Sequence, residues 1–105
     1  MTNAEFKYWN KEGHILIQAD NWDCFLHNSS LNPMINWLNL HHQDIESGKP
    51  VESATINGVQ YLSVNGNLAI RTERDFVLLN TLQLIEFITW LNNHKKILNI
   101  RDVWP

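Results

Sequence analysis

The chain has 105 residues, of which 44% are hydrophobic and five are tryptophan, so we expect one compact domain with its own core. Acidic residues outnumber Lys and Arg by 11 to 8, and the net charge of −3 disfavours binding to the phosphates of nucleic acid. The apolar runs are too short to span a membrane, the first residues lack the pattern of a signal peptide, and the single cysteine, Cys24, excludes an internal disulfide. These features predict a cytoplasmic protein.

The N-terminal part of the chain predicts a β-hairpin. Two β-rich runs, residues 6–9 and 14–19, flank a turn that ends at Gly13, a residue that tolerates positive φ. Residues 20–30 form either a short helix capped by Asp20 or an ordered loop pinned by its aromatic side chains. Of these two interpretations we favour one or two turns of helix.

The first long helix is predicted over residues 33–47. Pro33 suits the first turn of a helix, and Gly48 suits its end. The buried stripe consists of one histidine and several apolar residues at helical spacing: Leu31, Met34, Ile35, Leu38, His42 and Ile45. Trp37 and Leu40 lie off this stripe, so they are predicted to be the apolar side chains that the core needs least.

Two Asn-Gly pairs, at residues 57–58 and 65–66, are the strongest local signal for type I′ hairpin turns. They predict three antiparallel strands, at residues 51–56, 59–64 and 67–74. The predicted opposite pairs are Ile56 with Val59, Ala54 with Tyr61, Val64 with Asn67, Leu62 with Ala69, and Tyr61 with Ile70. The core face is predicted to carry Ala54, Ile56, Val59, Tyr61, Leu68 and Ile70. The other face, which mixes apolar and polar residues, should stay partly open, and residues 75–79 either extend the last strand or lead into the next helix.

A second long helix is predicted over residues 80–95, where Asn80 and Gln83 have the spacing of a capping box. Its buried stripe is Leu84, Phe87, Ile88 and Leu91. Residues 97–105 are too apolar for a solvated end, so we expect them to dock on the domain. The order of elements predicts an α+β fold, in which an N-terminal hairpin and a three-stranded meander form an antiparallel sheet with two main helices packed on one face.

Four residues of the first long helix have the side chains of metal ligands. His42 and Glu46 are four positions apart, and His41 and Asp44 are three apart. Consecutive side chains on a helix point about 100° apart, so the two histidines cannot chelate one ion together. We therefore predict no metal site and no cofactor.

Cys24 and His27 have the residue types of a nucleophile and its base. Cysteine is also among the most frequently buried residues, and the aromatic surroundings of Cys24 favour packing over reactivity. We therefore expect no enzymatic activity, and a small hydrolase or metal-dependent enzyme remains the least favoured alternative.

Several basic residues are candidates for a strip at one end of the molecule: Arg71, Arg74, Lys95, Lys96 and Arg101. The helix-β-β-β-helix order of residues 33–95 is similar to that of a double-stranded RNA-binding domain. That resemblance implies phosphate contacts from a basic cluster that opens the last helix, and here residues 80–83 contain no cation. A nucleic-acid-associated protein is the first alternative function.

The function that we favour is binding to another protein without chemistry of its own. The predicted partner-binding residues are Trp37, Leu40, Asp20, Trp22, Asp23 and Arg71. The acidic groups at residues 20–23 would steer the molecule toward a basic partner, such as a toxin or a nuclease. This pattern favours an inhibitor of the immunity or antitoxin kind, or a mobile-element product that blocks a host factor, and a homodimer is a further alternative.

Overall fold

A computed structural model describes residues 4–9 and 13–101 of the chain. Within them the strands are β1 Ala4–Tyr8, β2 Ile15–Ala19, β3 Trp22–Leu26, β4 Ala54–Ile56, β5 Val59–Val64, β6 Asn67–Arg71 and β7 Phe76–Leu79. The helices are α1 Leu31–Glu46, α2 Thr81–Asn93 and α3 Lys95–Leu98, and a short 3-10 turn spans Asn28–Ser30. The predicted α+β class is confirmed.

The N-terminal sheet has three antiparallel strands in the order β1-β2-β3. The predicted hairpin is confirmed, with Phe6 opposite Ile17, although residues 10–12 of its turn lie outside the described residues. The interpretation of a helix that begins at Asp20 is wrong, because Trp22–Leu26 form β3, and the helical turn in this segment is the 3-10 turn Asn28–Ser30. Asp20, with φ of 54°, opens a tight turn that returns the chain along β2, so Cys24 comes to lie opposite Ile17.

The second sheet is antiparallel in the order β4-β5-β6-β7. Its predicted register is confirmed: Ile56 with Val59, Ala54 with Tyr61, Val64 with Asn67, Leu62 with Ala69, and Tyr61 with Ile70. The Asn and Gly of both Asn-Gly pairs have positive φ, as type I′ turns require. Residues 76–79 form a fourth strand after a turn in which Thr72 Oγ1 accepts a hydrogen bond from the Asp75 N–H at 2.9 Å.

Both long helices lie near their predicted positions. The capping box that opens α2 is confirmed, since the Asn80 Oδ1 accepts from the Gln83 N–H at 2.8 Å and the Gln83 Oε1 accepts from the Asn80 N–H at 2.9 Å. The chain after α2 docks on the domain as expected up to residue 101: Leu98 is buried, and the Arg101 N–H donates to the Asn32 side chain of α1 at 3.2 Å. Residues 102–105 lie outside the described residues.

One hydrophobic core joins the two sheets and the helices. On the N-terminal side, the ring of Phe6 in β1 lies 5.0 Å from that of Phe87 in α2. The two sheets meet where β3 approaches the start of β7, and there the Phe25 N–H donates to the Asp75 carboxylate at 3.1 Å. The core therefore fills the inner face of each sheet.

Candidate functional site

The outer face of the four-stranded sheet carries apolar side chains that lie outside the core cluster. Side chains alternate along each strand, and the inner set includes the buried Tyr61, Ile70 and Val77. We call the apolar part of the opposite set the outer sheet face; it consists of Leu62, Val64, Ala69, Phe76 and Leu78. Polar residues on the same side of the sheet are Thr55, Gln60, Asn67 and Arg71.

Three residues of the outer sheet face form a row across the sheet. Leu62 lies opposite Ala69 in the register, and Ala69 lies opposite Leu78. Cβ atoms of opposite residues are about 5 Å apart, so the two leucines flank the small alanine and leave it only 1% exposed. The solvated face of an antiparallel sheet usually carries polar side chains. A continuous apolar row at this position therefore needs an explanation other than the packing of the core.

Trp22, which belongs to β3 of the N-terminal sheet, extends the outer sheet face beyond the edge of the four-stranded sheet. Its ring meets that of Phe76 edge-on, with centroids 4.9 Å apart and planes at 76°, and 47% of the residue remains exposed. Arg71 lies directly opposite Phe76 in the register. The exposed Asp20 and Asp23 flank Trp22 along the chain, and the Gln18 amide donates to the Asp23 carboxylate at 3.1 Å.

The structure thus places Trp22 and Arg71 beside Phe76, whereas Asp20 and Asp23 are neighbours of Trp22 along the chain. The sequence leaves residues 75–79 either as an extension of the preceding strand or as a lead into α2, so it does not identify Phe76 and Leu78 as residues of this face. Leu62 and Val64 were placed on the mixed face of the meander, which is where they lie. The run from Phe76 to Leu79 is apolar at all four positions, so its sequence has no alternation that could reveal the buried and half-buried faces of the strand.

The two predicted anchors on α1 have different environments. Trp37 is only 5% exposed, and its ring stacks on that of Tyr61 with centroids 5.6 Å apart. The prediction that Trp37 lies outside the core is therefore wrong, because the large indole reaches the inner face of the sheet from a position beside the stripe. Leu40 is 78% exposed, as expected, but it lies apart from the outer sheet face.

Cys24 is buried in the core, in an environment that does not favour reaction of its thiol. Burial raises the pKa of its thiol to about 12, and the nearby Asp75 carboxylate acts in the same direction. Burial also raises the pKa of Tyr61, whose hydroxyl has no hydrogen-bond partner within the described part of the chain. A nucleophilic cysteine needs a lowered pKa, so this environment opposes the nucleophile that Cys24 and His27 would form.

The histidines make local contacts. The exposed His27 packs against His14, with ring centroids 4.0 Å apart and planes tilted by 40°, and its Nδ1 accepts from the Ser29 N–H at 3.3 Å. On α1, His42 Nδ1 lies 3.5 Å from the Glu46 carboxylate, and the ring of His41 lies 5.0 Å from that of Trp37. Across residues 4–9 and 13–101 there is no group of three or more His, Cys, Asp or Glu placed to hold a metal ion.

The basic residues lie in different parts of the fold. Arg71 lies on the outer side of the sheet, whereas Lys95 and Lys96 belong to α3, which follows a helix packed on the inner side. Arg74 lines an open cleft of about 450 Å³ together with Glu73 and Asp75, whose carboxylates reduce its positive potential. The expected helix-β-β-β-helix order is also not observed, because β7 inserts a fourth strand before α2.

Comparisons with protein-family models, with curated proteins and with solved structures found no match to this chain. Among the described residues, no helix combines the length and apolar character needed to cross a membrane.

Proposed function

We propose that this protein acts by stoichiometric contact with another protein, and that the outer sheet face is the contact surface. The observation that carries the proposal is the apolar row of Leu62, Ala69 and Leu78, which continues through Phe76 to the half-exposed Trp22. The core is already complete on the inner side of this sheet, so these side chains are not required there. Leu62, Phe76 and Leu78 are half-buried, and a contiguous apolar surface that stays partly open to solvent outside the core is typical of a protein interface.

The composition of the surface supports the same proposal. Trp22 and Phe76 supply two aromatic rings in contact, and Arg71 lies directly beside Phe76 in the register. Tryptophan and arginine are enriched among residues that dominate binding energy, and a polar rim commonly surrounds them. Thr55, Gln60 and Asn67 would form part of that rim.

Charge favours a basic partner. The chain has a net charge of −3, and the exposed carboxylates of Asp20 and Asp23 flank Trp22. Acidic residues around a binding surface increase the rate of association with a positively charged protein. They also orient the two proteins so that their apolar surfaces meet. We therefore propose an inhibitor of the immunity or antitoxin kind, or a protein that blocks a host factor, with a toxin or nuclease as the type of partner.

Affinity capture with matched baits tests the proposal. The baits are the unmodified protein, an outer-face variant with Trp22→Ala and Leu78→Thr, and a control variant with Leu40→Ala and Ile97→Thr, which removes exposed apolar side chains elsewhere. Circular dichroism first establishes that all three are folded. We expect one protein to be recovered at equal stoichiometry with the unmodified and control baits, and at least about tenfold less with the outer-face variant.

Recovery of the same proteins by all three baits would rule out the outer sheet face. Capture of nucleic acid that survives the outer-face variant, and is lost when salt is raised, would instead support the nucleic-acid alternative and contradict the proposal.

A further inference from the structure

Strand β1 forms one edge of the N-terminal sheet, and no strand within the described residues pairs with its outer side. The Trp9 N–H donates to the His14 carbonyl at 2.7 Å, just beyond the last pair of the register, Tyr8 opposite Ile15. Hydrogen-bonded and non-hydrogen-bonded pairs alternate in an antiparallel ladder. The main-chain groups of Ala4, Phe6 and Tyr8 therefore point away from β2, toward the open edge.

An apolar groove runs beside this edge. It has a volume of about 340 Å³, and Phe6 of β1 with Ile85 and Trp90 of α2 are among the residues that line it. Ile85 is 44% exposed, although it faces the groove beside the half-buried Phe6. The edge thus offers main-chain donors and acceptors next to apolar side chains that a further strand would cover.

The charges of β1 indicate which strand could pair with its open edge. Glu5 and Lys7 precede and follow Phe6, so their side chains lie on the face of the N-terminal sheet opposite to that of Phe6. Both side chains are well exposed, and the Lys7 Nζ lies 3.2 Å from the Glu5 carboxylate. We propose that a second copy of this chain docks on this edge, with β1 antiparallel to β1 and a two-fold axis at Phe6. In that register Glu5 lies opposite the partner subunit's Lys7, and Lys7 lies opposite the partner subunit's Glu5.

The same register uses the whole edge. Phe6 pairs with its symmetry mate, and Ala4 pairs with the partner subunit's Tyr8, so every edge-facing residue of β1 exchanges main-chain hydrogen bonds. Centring the axis on Glu5 or on Lys7 would instead place like charges opposite each other, which destabilises a strand pair. Of the registers centred on Glu5, Phe6 or Lys7, only the one at Phe6 makes the charges of β1 complementary to those of a second copy.

A two-fold axis perpendicular to the sheet keeps both copies of α2 on the same side of the joined sheet. Ile85 of each subunit then lies beside the junction where the two Phe6 side chains meet, and the groove is covered from both sides. This interface lies on the N-terminal sheet, away from the outer sheet face. It therefore does not rest on the proposed function, and the experiments that test the two use different residues.

Charge reversal tests the dimer and its register together. The variants are Glu5→Lys, Lys7→Glu and the swap that carries both, and their molar masses are measured by sedimentation equilibrium over a range of protein concentrations. The unmodified protein should approach twice the chain mass of 12.3 kDa. Each single reversal should raise the dimer dissociation constant at least about tenfold, because it creates two like-charge pairs, and the swap should restore the original value.

Two control variants carry the same charge changes elsewhere, Glu52→Lys and Lys96→Glu, at exposed positions outside β1. They should dimerise like the unmodified protein, and urea unfolding establishes that every variant is folded. A monomer at all concentrations would overturn the proposal. A dimer that both single reversals leave unchanged would overturn it as well, since β1 would then not be the interface.

Discussion

Cys24 shows how strongly the fold determines the chemistry of one side chain. It lies opposite Ile17 on the inner face of its sheet, and burial raises the pKa of the thiol from 9.0 to about 12. Between pH 9 and 12 the thiol ionises in the unfolded chain but stays protonated in the folded chain. The free energy of unfolding therefore falls as the pH rises through this range. The reactive form of Cys24 is therefore scarce in the folded protein at neutral pH.

We predict that Cys24 resists thiol reagents while the protein is folded. At pH 8 the thiolate fraction is on the order of 1 in 10,000 for a pKa near 12, and the side chain is also inaccessible. Labelling with Ellman's reagent should be slow without denaturant and stoichiometric in urea. Rapid labelling of the folded protein would contradict this account and restore the Cys24–His27 nucleophile hypothesis.

The burial of Trp37 shows what helical spacing cannot predict. Spacing places a residue at an angle around the helix axis, and by this measure Trp37 lies outside the stripe of Leu31, Leu38 and Ile45. Whether a long side chain reaches the core depends on the surface opposite, here the ring of Tyr61. Leu40, which has no such neighbour, is exposed as its position predicts.

Among the elements, the turns of the four-stranded sheet follow most directly from local sequence. Gly58 has φ of 79°, and a Cβ atom at this position would meet no heavy atom within 4 Å. We predict that Gly58→Ala lowers the free energy of unfolding by about 1–2 kcal/mol, because an L-residue in this conformation is strained even without a clash. Urea unfolding measures the loss.

Thr55→Val, at an exposed position in the adjacent strand, is the control and should change stability by less than about 0.5 kcal/mol. Equal unfolding midpoints for Gly58→Ala and the unmodified protein would show that the turn relaxes into another conformation and that its register does not depend on glycine.

The Asn-Gly hairpins could be predicted from the sequence, whereas strands β3 and β7 could not, and the difference has physical reasons. Asn-Gly turns fix both the turn type and the pairing of the strands that they join, so the register from Ala54 to Ile70 was predictable. Strand β3 was missed because its tight turn at Asp20 has no glycine, and because an acidic residue before an apolar run equally suits a helix cap. Strand β7 has only four residues, too few to show a distinct period.

At the scale of the whole molecule, the candidate site depends on contacts that no local pattern contains. Trp22 and Arg71 were predicted separately, and only the approach of β3 to β7 places both beside Phe76. The Phe25 N–H and the Asp75 carboxylate hold that junction across a separation of 50 residues. If β1 pairs with a second copy, each dimer carries two outer sheet faces and can engage two partner molecules.

The most direct test that the outer sheet face is a binding surface is to measure the affinity of the captured partner for the Phe76→Ala variant. Isothermal titration calorimetry gives both stoichiometry and dissociation constant, with Leu40→Ala as the control for loss of an exposed apolar side chain. We predict one partner molecule per chain and a loss of at least about 2 kcal/mol for Phe76→Ala, roughly 30-fold in affinity, with the control close to the unmodified protein. Equal affinity of the folded Phe76→Ala variant and the unmodified protein would contradict the account.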